Sequence, residues 1–151
     1  MQQIIVSDAS CLILLDKLGE LNLLNKIFGQ ILITETVAVE FKKKLPNWIL
    51  VKYPSPDLYL RRKDFLDPGE ASSIGLAASF DNALLIIDEG KGRKIAKELG
   101  LSITGSLGII LLAKKKGLVP LVRPIIEKIQ RTNFRLSEAL IEKVLELAEE
   151  G

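Results

Sequence analysis

Four carboxylic acids stand where an apolar run gives way to a helical pattern. Asp8 follows Ile4-Ile5-Val6, and Asp88 follows Leu84 to Ile87. Glu40 lies one turn into the pattern after Ile31-Leu32-Ile33, and Glu70 sits in the first turn of a segment opening at Pro68. Each has a modest structural role open to it. Asp8 and Asp88 can cap helices for about 1 kcal/mol. Asp67 and Glu70 fit a capping box around a proline at the first helical position, and Glu40 has Lys44 four residues on as a surface partner. As a set they imply more, because like charges gathered in one cleft raise one another's pKa and need a cation to stay ionised.

The composition narrows which cation and which chemistry. The 151 residues include no histidine and one cysteine, Cys11. That excludes an imidazole base, a Ser-His or Cys-His nucleophile pair, a thiolate-rich zinc site and an intrachain disulfide. Oxygen ligands remain, and hard oxygens select Mg²⁺ or Mn²⁺ over zinc or copper.

A carboxylate-held divalent ion beside cations suits phosphate chemistry, in which the ion activates water and neutralises the phosphoryl oxygens. The net charge of +2 is too small to argue for nucleic acid alone, but 13 of the 21 cations fall in four clusters, Lys42 to Lys44, Arg61 to Lys63, the set Lys91, Arg93, Lys94 and Lys97, and Lys114 to Lys116, so position decides. Lys42 to Lys44 and Lys114 to Lys116 read as solvated faces and helix ends. Lys91, Arg93, Lys94 and Lys97 follow Asp88 directly, which brings Arg93 towards the acids, where its fork can hold a phosphate or a carboxylate. Gly90-Lys91-Gly92 does not complete a dinucleotide fingerprint, because Ile95 occupies the third glycine's place and Asp88-Glu89 would repel a pyrophosphate. Aromatic residues make up only 5% of the chain, which limits base stacking to few places.

The elements that position these residues follow from hydrophobic spacing. Ile4–Val6, Ile31–Ile33, Trp48–Val51, Leu84–Ile87 and Leu101–Ile103 are short, mostly apolar runs, expected as buried strands. Helical spacing intervenes, as in Val37, Phe41 and Leu45, and in Ile74, Ala77 and Ala78. The alternation implies an α/β class with a parallel sheet covered on both faces, in one domain spanning residues 1–151. Residues 45–67, with Pro46, Pro54 and Pro56, form the least regular stretch. A final amphipathic helix over 137–149 carries Leu140, Ile141, Val144, Leu145 and Ala148 on one side, enough to cover the sheet or to meet a second copy. Met1-Gln2-Gln3 lacks a signal-like basic region and Ile109–Ala113 is too short to span a bilayer, so a soluble cytoplasmic protein with no membrane partner is expected.

The motifs, in order, resemble a known family. Val6-Ser7-Asp8-Ala9-Ser10, Val39-Glu40-Phe41, Pro68-Gly69-Glu70-Ala71 and Ile87-Asp88-Glu89 with Gly92-Arg93-Lys94-Ile95-Ala96 follow the spacing of PIN domains. Ile103-Thr104-Gly105-Ser106-Leu107-Gly108 before a lysine-tipped helix resembles the prokaryotic DUF3368-type subfamily, related to VapC-type toxins. The resemblance implies a three-layer, Rossmann-like α/β/α fold with strand order 3-2-1-4-5 and a metal-dependent endoribonuclease. It implies Asp8, Glu40, Glu70 and Asp88 as catalytic and metal-ligating residues for Mg²⁺ or Mn²⁺. Glu70 stands where the wider family commonly has aspartate, so it ligates directly or through water. Ser10, Glu89 and Arg93 are implied near the site, supporting it or binding substrate. RNA as substrate, a small antitoxin as inhibitor and a homodimer complete the expectation. The rival is a nucleic-acid-binding or interaction module on the same scaffold without turnover.

Overall fold

The structure is a computed structural model that describes residues 3–54, 67–88 and 90–151. Five strands, β1 (Ile4–Ser7), β2 (Ile31–Ile33), β3 (Ile49–Val51), β4 (Ala83–Ile86) and β5 (Ser102–Thr104), form one parallel sheet in the order β3-β2-β1-β4-β5. Around it, among the described residues, lie α1 (Ala9–Lys17), α2 (Asn22–Phe28), α3 (Glu35–Phe41), α4 (Pro68–Ala78), α5 (Gly90–Glu98), α6 (Ser106–Lys115), α7 (Arg123–Gln130) and α8 (Glu138–Leu147).

Successive strand residues enter opposite cores, as the period of two requires. Ile5, Ile31, Ile33, Ile49 and Ile86 join a core completed by α1, α2, α3, α6, α7 and α8. Val6, Leu32, Leu85 and Ile87 join the other, against Ile74 and Ala77 of α4 and Ala96 of α5. Strands buried on both faces need side chains that are apolar throughout, and these short aliphatic runs supply them.

The elements fall where the spacing predicts, with ends that shift. The fourth strand runs from Ala83 to Ile86 and the fifth from Ser102 to Thr104. The third helix stops at Phe41, because Lys42 takes a left-handed conformation at φ 64°. Leu45 is therefore not on its face. The terminal helix buries Val144 and Leu145, with Ala148 just beyond, in the chain's own core, so most of its apolar stripe is used within the domain. Its end is fastened by Glu150, whose carboxylate accepts from the amides of Val122 and Arg123 at 2.8 and 3.1 Å and from Lys114 Nζ at 2.9 Å. A carboxylate from across the domain thus satisfies the first amides of α7. Among the described residues no helix is long and apolar enough to cross a membrane.

Candidate metal and phosphate site

The sheet order reverses between β1 and β4, and a parallel sheet opens a crevice beyond the carboxyl ends of its strands at such a point. Asp8 is the first residue after β1, with its amide bonded to Ile86 O at 2.9 Å. It caps α1, its Oδ1 facing the Cys11 amide at 3.4 Å. Cap and crevice position are not alternatives here; one side chain holds both. Asp8 is 2% exposed, and its Oδ2 is buried without a hydrogen-bond partner. Burial first, then the nearby Asp88 charge, push its carboxyl from the usual 3.8 up to about 7, although the amides of Cys11 and Asp88 pull the other way.

Asp88 caps a helix other than the one that follows it. β5 returns beside β4 and delivers Ser106, whose amide donates to Asp88 Oδ1 at 2.7 Å and whose hydroxyl donates to Oδ2 at 2.5 Å. The carboxylate therefore sits at the N-terminus of α6, where the preceding residue, Gly105, supplies no side-chain cap. Only a glycine fits beside it, since a Cβ on Gly105 would lie 2.6 Å from Asp88 Oδ1 and 3.1 Å from Arg93 Nη1. Arg93 donates from Nη1 to Ile87 O at 2.7 Å, which fixes the guanidinium at this edge.

The N-terminus of α4 brings the other acids. Asp67 caps it through Glu70 N at 2.8 Å, with Pro68 at the first helical position, as the sequence pattern predicts. Asp67 is also close enough to Asp8 and to Glu40 to raise both carboxyl pKa values, which places a fifth acid on this edge. Glu40 is exposed as a residue, but its carboxyl lies over Gly69. The water lost there, and then the Asp67 charge, push its pKa up. No ion pair joins Glu40 to Lys44, which the left-handed Lys42 carries off the helix. Glu70 is buried, at 8% exposure, and its Oε2 would be 3.1 Å from a Cβ on Gly92 in the first turn of α5. Buried hydroxyls brace this layer: Thr34 Oγ1 and Ser72 Oγ are 2.7 Å apart, and Ser72 and Ser73 donate to Gly69 O.

Asp8, Asp67 and Asp88 thus share one edge; Glu40 comes within reach of the Asp67 charge, and the Glu70 carboxyl lies against the first turn of α5. Among the described residues, no three carboxyl groups stand at the mutual spacing of a ready-made metal cage. Ser10 is exposed and lines a neighbouring cleft with Lys17 and Phe134. Glu89 lies outside the described residues. Sequence reasoning missed Ser106 as the partner of Asp88 and gave Asp67 only a capping role. The Thr104-Gly105-Ser106 turn after the fifth strand was the available signal for the first. Cys11 is buried beside the pair, and its thiol is pushed up by burial and by the Asp88 and Asp8 charges, so it offers no nucleophile.

A family model described as a PIN domain, DUF3368, matches residues 4–150. No curated protein matches the chain, and no solved structure does.

Proposed function

The chain belongs to the PIN-domain family, whose members are generally nucleases, and from that membership we propose that it is a Mg²⁺- or Mn²⁺-dependent endoribonuclease, the toxin of a type II toxin–antitoxin pair. The observation that carries the reading is the buried, unpartnered Oδ2 of Asp8 beside Asp88 at the point where strand order reverses. A carboxyl raised to about 7 by burial and a neighbouring carboxylate is poised to accept a divalent cation, which replaces the missing partner and relieves the repulsion. All the donors on this edge are hard oxygens, so the residues fit Mg²⁺ or Mn²⁺.

In this proposal Asp8 and Asp88 hold the ion, with Glu40 and Glu70 completing its shell directly or through water. When bound, the ion supplies a lowered pKa for water and positive charge against the phosphoryl oxygens. Ser106 keeps Asp88 in one orientation, which spares the reorganisation that a free carboxylate would need. Arg93, held by Ile87 O, orients the scissile phosphate or a site carboxylate. Ser10 and Glu89 are proposed to support the site or to bind substrate. The antitoxin and the homodimer rest on the resemblance of the motifs to PIN domains related to VapC-type toxins, and a cytoplasmic setting on the absence of a signal-like or spanning run in the sequence.

A second reading, a nucleic-acid-binding module without turnover, draws on one observation. Both oxygens of Asp88 already accept from Ser106. Each carboxylate oxygen keeps a further lone pair, so this does not block ligation. A divalent-ion titration separates the readings. The nuclease cleaves RNA only as Mg²⁺ or Mn²⁺ is added, whereas RNA binding that is independent of metal and without cleavage supports the module.

A further inference from the structure

A groove of about 480 Å³ leads away from Asp88 and Arg93, between the start of α6 and the segment that ends in α8. Leu107, Leu111 and Val144 give it an apolar floor, and Phe134 and Leu136 line it from the irregular stretch before α8. Arg93, Arg135 and Lys143 contribute three cations to its lining, while Asp88, at the site end, is the one carboxylate among the lining residues. Apolar floor and cationic rim together match a strand that presents flat bases on one side and phosphates on the other. A base paired in a duplex cannot turn its face to the floor, so the match is to an unpaired strand. An acidic amphipathic peptide shares part of this chemistry, but the groove ends at the proposed catalytic edge, where a substrate must be.

We propose that this groove holds the nucleotide adjoining the scissile phosphate as single-stranded RNA, with a base against Phe134 and phosphates against Arg135 and Lys143. This rests on the nuclease reading and adds to it the residues that seat the strand beside the acidic edge. Phe134 also lines the neighbouring cleft of about 240 Å³ with Ser10 and Lys17, so the strand has a continuation on the far side of that residue. A chain with few aromatics places one of them one step from its acidic edge.

The test measures binding by anisotropy of a labelled single-stranded oligoribonucleotide and of the matching duplex, alongside cleavage of the same strand in Mn²⁺. The wild-type chain is expected to bind the single strand more tightly than the duplex. Phe134→Ala should lose roughly 5- to 100-fold in single-strand affinity, the range of one base stack, and Phe134→Trp should retain it. Arg135→Glu, at an exposed position, should weaken binding and flatten its salt dependence. Unchanged binding and cleavage in both Phe134→Ala and Arg135→Glu would overturn the groove while leaving the nuclease intact. A wild-type chain that binds the strand through these residues yet never cleaves it would overturn the nuclease and keep the groove. If Leu140→Glu on the groove wall instead leaves RNA binding unchanged and halves a solution mass of twice 16.7 kDa, the groove is a face between copies and the proposal fails.

Discussion

Ser106 binds both oxygens of Asp88, by its amide at 2.7 Å and by its hydroxyl at 2.5 Å, across 18 residues of sequence. The pair ties the end of β4 to the start of α6 and presents Asp88 to the crevice in one pose. Ser106→Ala removes the hydroxyl bond and keeps the amide bond. The expected result is a loss of about 10- to 100-fold in Mn²⁺ affinity or in turnover, as for other groups that orient a metal ligand. Stability should fall by only about 1 kcal/mol. Metal titration of cleavage, with thermal unfolding alongside, checks both.

Asp8 carries a stability cost that its pH dependence should reveal. Its folded pKa is raised from 3.8 to about 7, so between those values the folded chain keeps a proton that the unfolded chain releases. Metal-free stability should therefore fall as pH rises through this window, and level off above it. Asp8→Asn should remove that decline and raise the metal-free melting temperature at pH 8, a gain in stability obtained by losing the site. Unfolding curves in EDTA from pH 5 to pH 8 provide the measurement.

Glu150 should behave oppositely. Burial alone would raise its carboxyl, but Lys114 and the amides of Val122 and Arg123 outweigh this and hold it below the ordinary 4.5. Its contribution is fully present above the unfolded pKa and is lost as pH falls through the lower folded one. Glu150→Gln should cost about 1 to 3 kcal/mol at neutral pH, because charge-assisted bonds become neutral ones. Cleavage per folded molecule should be unchanged, since this anchor lies away from the acids.

Arg93→Lys keeps the charge but loses the planar fork whose Nη1 reaches Ile87 O at 2.7 Å. Turnover should drop about tenfold or more with little change in melting temperature. Wild-type kinetics in this variant would remove Arg93 from the site.

The positions of Asp8 and Asp88 follow from local pattern, because an aliphatic run ending in aspartate reads the same in sequence and in space, and the sheet order follows from the family resemblance. What was not legible depends on chain paths. Ser106 meets Asp88 only because β5 pairs with β4, and Asp67 meets Asp8 and Glu40 only where α4 enters at the sheet edge. The Glu40–Lys44 pair assumed a helix that runs on, and one left-handed residue, Lys42, ends it. The terminal stripe left two readings open in sequence, a cover for its own sheet or a face for a second copy, and the structure sinks Val144, Leu145 and Ala148 into the chain's own core.

The most direct test of the account is cleavage of single-stranded RNA by the wild-type chain and by Asp8→Asn, each titrated with Mn²⁺ and each shown folded by its unfolding transition. The account predicts wild-type cleavage that appears with the metal and disappears in EDTA. In Asp8→Asn it predicts a loss larger than the roughly 10- to 100-fold expected of a merely orienting residue. Full Mn²⁺-dependent cleavage by a folded Asp8→Asn chain would contradict it.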